Sequence, residues 1–157
     1  MRRLLLIGLG VSVWAASANT VEAFDRRHLD EISRVSCSPC DLSGADLKGF
    51  YLYKAYLRGT NFKGADLRGA NVKKANLEGA NLEGANLEGV NLEVANLTKT
   101  NLIKANLTGA ILKRTQAHTA DLSGANLTNA ILRYAQLGGA KLQLSVIKTF
   151  GTVEPVF

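Results

Sequence analysis

Residues 75–97 read Ala-Asn-Leu-Glu-Gly-Ala-Asn-Leu-Glu-Gly-Ala-Asn-Leu-Glu-Gly-Val-Asn-Leu-Glu-Val-Ala-Asn-Leu, a five-residue period centred on leucine. A helix would carry successive leucines about 140° round its axis, and a strand would flip them from face to face. Neither element keeps them together, so every repeat needs a turn. A chain that bends after each short strand, always in the same sense, winds into a coil with its leucines inside. The expected fold class is an all-β solenoid.

Outward from this stretch the register runs unbroken from Leu42 through Leu47, Leu52, Leu57, Phe62, Leu67 and Val72 to Leu142 and Ile147, giving 22 centres, of which only Ala117 is not large and apolar. Two residues before each centre sits a small group, mostly alanine, with Cys40, Thr60, Val90, Thr100, Thr115 and Ser145 as variants. Both positions share strand parity, so both point inward, the small one making room for its bulky neighbour. The residue between them is mostly Asn or Asp, types that bond readily to nearby backbone. Gly closes many repeats, for example Gly79, Gly84 and Gly89, where a turn requiring positive φ is cheapest.

The tandem A(N/D)LxG pattern over about residues 40–149 resembles the pentapeptide-repeat family. That resemblance implies a right-handed quadrilateral β-helix with four repeats per coil, here about five and a half coils. The outward residues agree with it: at an offset of twenty, Arg58, Lys63, Arg68 and Lys73 each face Glu78, Glu83, Glu88 and Glu93 in turn. Offsets of 15 and 25 pair three of the four glutamates, so the pattern favours twenty without dictating it.

The 157-residue length and 46% hydrophobic content suit one domain with an ample core. Met1-Arg2-Arg3, the apolar run Leu4–Ala16 and Val21-Glu22-Ala23 read as a secretory signal peptide over 1–23, with cleavage after Ala18 as a competitor. The apolar run is short for a retained membrane anchor. Removal of 1–23 leaves a modestly basic chain. Phe24, His28, Leu29, Ile32 and Val35 fall near helical spacing, so residues 24–36 are expected to form a helical cap on the open first coil. The β-helix then occupies 37–149, with Phe50 and Phe150 as bulky plugs at its two ends, and residues 150–157 form a carboxyl-terminal cover. Cys37-Ser38-Pro39-Cys40, in an exported chain with two cysteines, is expected to form a structural disulfide, with a reversible redox dithiol as the alternative. The CxxC leading straight into the first repeat also resembles exported cyanobacterial members of the family, which implies periplasm or thylakoid lumen.

Sorted by face, the outward residues are unequal. The column built on Leu52, Val72, Leu92, Leu112 and Leu132 collects Tyr51, Tyr53, Lys54, Lys73, Lys74, Ile111, Lys113, Arg114, Ile131, Arg133 and Tyr134, with Glu93 as its acid. Basic and aromatic groups on a flat rigid face suit an anionic partner, a protein or another anionic surface. No catalytic constellation accompanies it. His28 and His118 stand apart with no Cys or Ser partner arrangement, so neither a metal nor a cofactor is expected. The Asn-x-Thr triplets at Asn96, Asn106 and Asn126 are products of the repeat. Some family members act as DNA mimics that protect gyrase, a role needing an acidic cytoplasmic rod. The basic charge and export signal here disagree, and no nucleic-acid partner is expected. The sequence thus reads as a non-enzymatic exported scaffold presenting one face for protein–protein interaction, its oligomeric state open. The enzyme-class alternative is a thiol-disulfide protein acting through Cys37 and Cys40.

Overall fold

A computed structural model describes Ser36 and residues 38–143. The residues expected to form a signal peptide, a cap helix and a carboxyl-terminal cover, together with Cys37 and Phe150, lie outside the described residues.

Parallel bridges join the residue before each centre to the one twenty positions on, in an unbroken series from Ser36↔Tyr56 to Asp121↔Lys141. One coil is therefore four five-residue faces, and side chains twenty apart stack. Face 1 is centred on Leu42, Phe62, Leu82, Leu102 and Leu122; face 2 on Leu47, Leu67, Leu87, Leu107 and Leu127; face 3 on Leu52, Val72, Leu92, Leu112 and Leu132; face 4 on Leu57, Leu77, Leu97, Ala117 and Leu137. All twenty centres are buried, and the small residue two positions earlier is buried in most coils. Phe50 takes one of these small sites in the first coil, half-buried against the core.

The repeat satisfies its own backbone. In the repeat around Leu82, the centre's N–H donates to Asn101 O (2.7 Å), the N–H of Gly84 to Ile103 O (2.9 Å), that of Ala85 back across the turn to Leu82 O (3.0 Å), and that of Asn81 down to Thr60 O (2.9 Å). The remaining N–H, of Glu83, donates to Asn81 Oδ1 (3.2 Å). All five donors are thus used, which is why Asn or Asp recurs before the centre. On face 1 the same side chains also run a ladder between coils: Asn101 Nδ2 donates to Asn81 Oδ1 (3.1 Å), Asn81 to Asn61 (3.3 Å), and Asn61 to Asp41 (3.1 Å). The buried Thr100 and Thr115 hydroxyls donate to Leu77 O and Leu92 O, each at 2.9 Å, so these polar core variants are matched.

Every corner from residue 44 to 139 holds φ between 54° and 70°, whether or not it is glycine. From residue 44 to 124 the ladder enforces this: the corner N–H reaches a carbonyl nineteen residues on, and only the left-handed conformation turns it there while closing the turn hydrogen bond. Nine corners adopt it with a side chain present, a conformation costing an L-residue roughly 1–2 kcal/mol relative to the right-handed one.

Three of the four expected charge columns form: Arg58–Glu78 (3.4 Å), Lys63–Glu83 (3.1 Å) and Lys73–Glu93 (2.6 Å). The fourth does not. Arg68 turns instead to Asp66 on its own strand, its Nη2 2.8 Å from Oδ2 and its Nε 3.0 Å from Oδ1, a two-pronged contact that Glu88 above cannot match.

Ala117 leaves a small apolar cavity of about 10 Å³ among residues that include Leu97, Leu112, Leu132 and Leu137. Replacing Ala117 by Leu, the type at the same site one coil below and one above, is expected to raise the unfolding free energy by about 1 kcal/mol and the melting temperature by roughly 2–4 °C. A lower melting temperature would mean that the neighbouring leucines have already closed over the site.

Candidate functional site

Face 3 departs from the rest of the tower in charge. Its outward positions carry Lys54, Lys73, Lys74, Lys113, Arg114 and Arg133 against the one carboxylate of Glu93. Face 1 balances three cations with three anions, and faces 2 and 4 each come within one charge of neutral. The entire positive excess of the described residues therefore sits on face 3. With strands about 4.8 Å apart, its five stacked strands span about 19 Å.

The aromatic residues are built into this charge. Tyr53 packs beside Tyr51 with ring centroids 5.9 Å apart, and the ammonium groups of Lys54 and Lys74 lie 5.3 and 5.8 Å from its centroid. At the other end Tyr134 holds Arg133 and Arg114 at 4.9 and 5.9 Å, and Arg133 Nη2 donates to its hydroxyl at 3.0 Å. Each ring thus keeps two cations near its face, an arrangement worth about 0.5–1 kcal/mol per contact at an exposed site. Lys73 is tied to Glu93, while Lys113 stands beside the bridged pair Ile111 and Ile131. Three of the four large apolar or aromatic residues that stand most exposed, Val94, Ile131 and Tyr134, belong to this face; the fourth, Tyr56, is around its corner.

All eleven residues picked out from the sequence are on face 3, in two groups: Tyr51, Tyr53, Lys54, Lys73 and Lys74 on the first two coils, and Ile111, Lys113, Arg114, Ile131, Arg133 and Tyr134 on the last two. Sequence reasoning passed over Val94, which fills the same corner column in the coil between them. The signal was available: Lys54, Lys74, Val94, Arg114 and Tyr134 are one column with glycine nowhere in it, whereas eleven of the other fifteen corners are glycine.

Elsewhere the chemistry is sparse. His118 meets Gln136 at 3.0 Å and, among the described residues, no carboxylate or thiol. Among the described residues no cluster of three or more His, Cys, Asp or Glu is placed to hold a metal, and no helix is long and apolar enough to cross a membrane.

Three carboxyl groups are held below their ordinary values: Asp66 mainly by the Arg68 guanidinium, Glu93 mainly by the Lys73 ammonium, and Asp121 mainly by the Ser123 hydroxyl and backbone N–H. Partial desolvation opposes the shift in each. Because the folded values are the lower ones, the unfolded chain takes up protons first on acidification. The stabilisation is present at neutral pH and is lost as pH falls below about 4. Thermal melts are expected to be flat from about pH 7 to 5 and to drop below about pH 4, with Asp66→Asn reducing the drop. An equal drop in that variant would exclude Asp66 as a contributor.

A tower of four five-residue faces, with an intact core and an outward-facing charge pattern, is a β-solenoid scaffold. The family model for pentapeptide repeats matches residues 40–79, 75–114 and 116–146, and the chain belongs to the pentapeptide-repeat family, whose known structures are right-handed quadrilateral β-helices. Among solved structures, it is similar to HetL, a pentapeptide-repeat protein involved in heterocyst differentiation regulation in the cyanobacterium Nostoc sp. strain PCC 7120, at 35% identity over 69% of this chain and 60% of HetL, with a TM-score of 0.58. The chain thus spans three-fifths of HetL's length. Rfr23 from the cyanobacterium Cyanothece 51142 matches at 26% identity over 76% of this chain and 95% of its own, with a TM-score of 0.69. A pentapeptide-repeat protein from the Arabidopsis thaliana thylakoid lumen matches at 42% identity over 60% of this chain and 69% of its own, with a TM-score of 0.49. No curated protein matches the chain.

Proposed function

We propose that this protein is an exported, non-enzymatic scaffold whose face 3 engages an acidic partner protein. The carrying observation is that the positive excess of the described tower falls on a single flat face, the same one that exposes Val94, Ile131 and Tyr134. Charge spread for solubility alone would be shared among four equivalent faces. Aromatic and Arg residues interleaved with exposed isoleucine are the composition of protein–protein contact surfaces. Export is supported by Met1-Arg2-Arg3 with the apolar run that follows, and periplasm or thylakoid lumen is the compartment it implies. There Cys37 and Cys40 serve as a structural disulfide.

Crosslinking in the native compartment, followed by identification of the attached protein, tests this reading. The expected result is a partner recovered with the native protein and lost when Lys73, Lys74, Lys113 and Arg114 are all changed to Glu. Equal recovery with both proteins would overturn the assignment to face 3. An intact Met1-Arg2-Arg3 terminus on the protein isolated from cells would overturn cleavage of the signal.

A further inference from the structure

Face 3 gives up at every corner the glycine that each other face of the described tower keeps at three corners or more. Its corner column Lys54, Lys74, Val94, Arg114 and Tyr134 holds φ between 56° and 61° at every coil, where glycine would sit without strain. Val94 is the severest case, since a β-branched residue in this region is a genuine outlier. The corner N–H groups of Lys54, Lys74, Val94 and Arg114 are each committed to a carbonyl on the next coil at 3.0 Å, as Val94 is to Lys113, so the backbone there cannot relax. The same face replaces Asn by Ile111 and Ile131, so the N–H groups of Lys113 and Arg133 have no side-chain acceptor two residues back, unlike Lys73 on Asn71 (3.2 Å) and Glu93 on Asn91 (3.0 Å). Backbone strain concentrated in one column is the kind of outlier from which a functional surface is inferred.

The side chains gained form a convex ridge with two matching ends. Lys54 and Lys74 flank the ring of Tyr53, and Arg114 and Arg133 flank that of Tyr134. The two nodes are three coils apart, about 14 Å. Between them the corner is Val94, exposed, and the neighbouring carboxylate, Glu93, is already matched by Lys73. A convex ridge cannot enclose a small molecule, so the ligand must bring its own length. A helix turning about 100° and rising about 1.5 Å per residue returns residues eleven apart to nearly the same face at about 16 Å, within side-chain reach of nodes at this spacing. A flat anionic bilayer has no use for the two-node spacing.

We propose that this ridge is the docking line for an acidic helical segment of a partner protein, lying along the tower axis with one carboxylate pair on each cation–aromatic node and an apolar side chain on Val94. This rests on the face 3 reading above and adds the partner's shape and the spacing of its charges.

The test uses the full chain and a fluorescent helical peptide carrying two Glu pairs eleven residues apart, its isomer with the pairs adjacent, and vesicles containing phosphatidylserine. The spaced peptide is expected to bind at least about threefold more tightly than its isomer, with an affinity that falls as salt rises. Changing all five corner residues to Gly is expected to raise the melting temperature and yet weaken the spaced peptide at least about tenfold, the sum expected for several exposed charge contacts. Lys54→Ala with Lys74→Ala keeps the backbone strain and removes one node, and is expected to abolish the preference for the spaced isomer. Equal affinity for the two isomers, or unchanged binding by the corner variants, would overturn the proposal. So would tight binding to vesicles without binding to the peptide. A partner lost on charge reversal of face 3 alongside indifference to peptide spacing would refute the helical docking line and leave the face assignment standing.

Discussion

Truncating Leu92 to Ala is expected to lower the unfolding free energy by about 3 kcal/mol and the melting temperature by roughly 6–12 °C. Leu92 is fully buried in the middle coil, with Val72 and Leu112 stacked below and above it. Its side chain is held on every side by other core residues, so the surroundings can close over the lost volume only in part. The half-buried Leu142, beside the last bridged residue Lys141, is the contrast. In a solenoid each coil is stabilised by its neighbours, so truncation at an end removes less. Leu142→Ala is expected to cost under half as much. Equal losses at the two sites, read by denaturant unfolding, would mean that burial does not deepen toward the middle of the tower.

The second large effect concerns surface rather than stability. Deleting residues 85–89 removes one repeat and leaves a chain that can still coil, because every repeat closes the same set of hydrogen bonds. Everything beyond the deletion then rotates by one face: Lys113, Arg114, Arg133 and Tyr134 move over the face 2 column while Lys54, Lys73 and Lys74 stay behind. Deleting residues 75–94 removes a whole coil, including Glu93 and Val94, and keeps the columns aligned. Both variants are expected to fold with β-solenoid circular dichroism. Capture of the native partner is expected to fall at least about tenfold for the five-residue deletion, which separates the two nodes onto different faces, and to fall less for the twenty-residue one, which keeps both nodes on one face but brings them about 5 Å closer and removes Val94. Equal capture by both would show that the continuous basic face is not what the partner reads.

Much of this was legible because the fold repeats. A leucine every fifth residue demands a turn per repeat, and the Glu78, Glu83, Glu88 and Glu93 series carries the coil length in its charges. The grouping of Tyr53 and Lys74 with Arg114 and Tyr134 followed from the same arithmetic. What the sequence hid depends on competition between alternatives of similar reach. Arg68 has acceptors both on its own strand and on the coil above, and only geometry decides for Asp66 over Glu88. Glycine marks eleven of the twenty corners, but the other nine take the same φ, seven of them with the corner N–H held by the inter-coil ladder, which overrides local preference in a way residue type alone does not reveal. That Ala117 leaves a void likewise depends on how far its neighbouring leucines close over it.

The four-faced coil requires residues twenty apart to be neighbours, and a pair of engineered cysteines tests that directly. Ile111 and Ile131 are bridged partners on successive coils, at a spacing of about 4.8 Å that a disulfide can span. Ile111→Cys with Ile131→Cys is expected to crosslink on mild oxidation, mapped by peptide mass spectrometry to separate it from Cys37 and Cys40. Ile111→Cys with Gln136→Cys, which places the second thiol on face 4, is expected to remain reduced. Crosslinking of the second pair in preference to the first would contradict the four-faced coil and the basic face built on it.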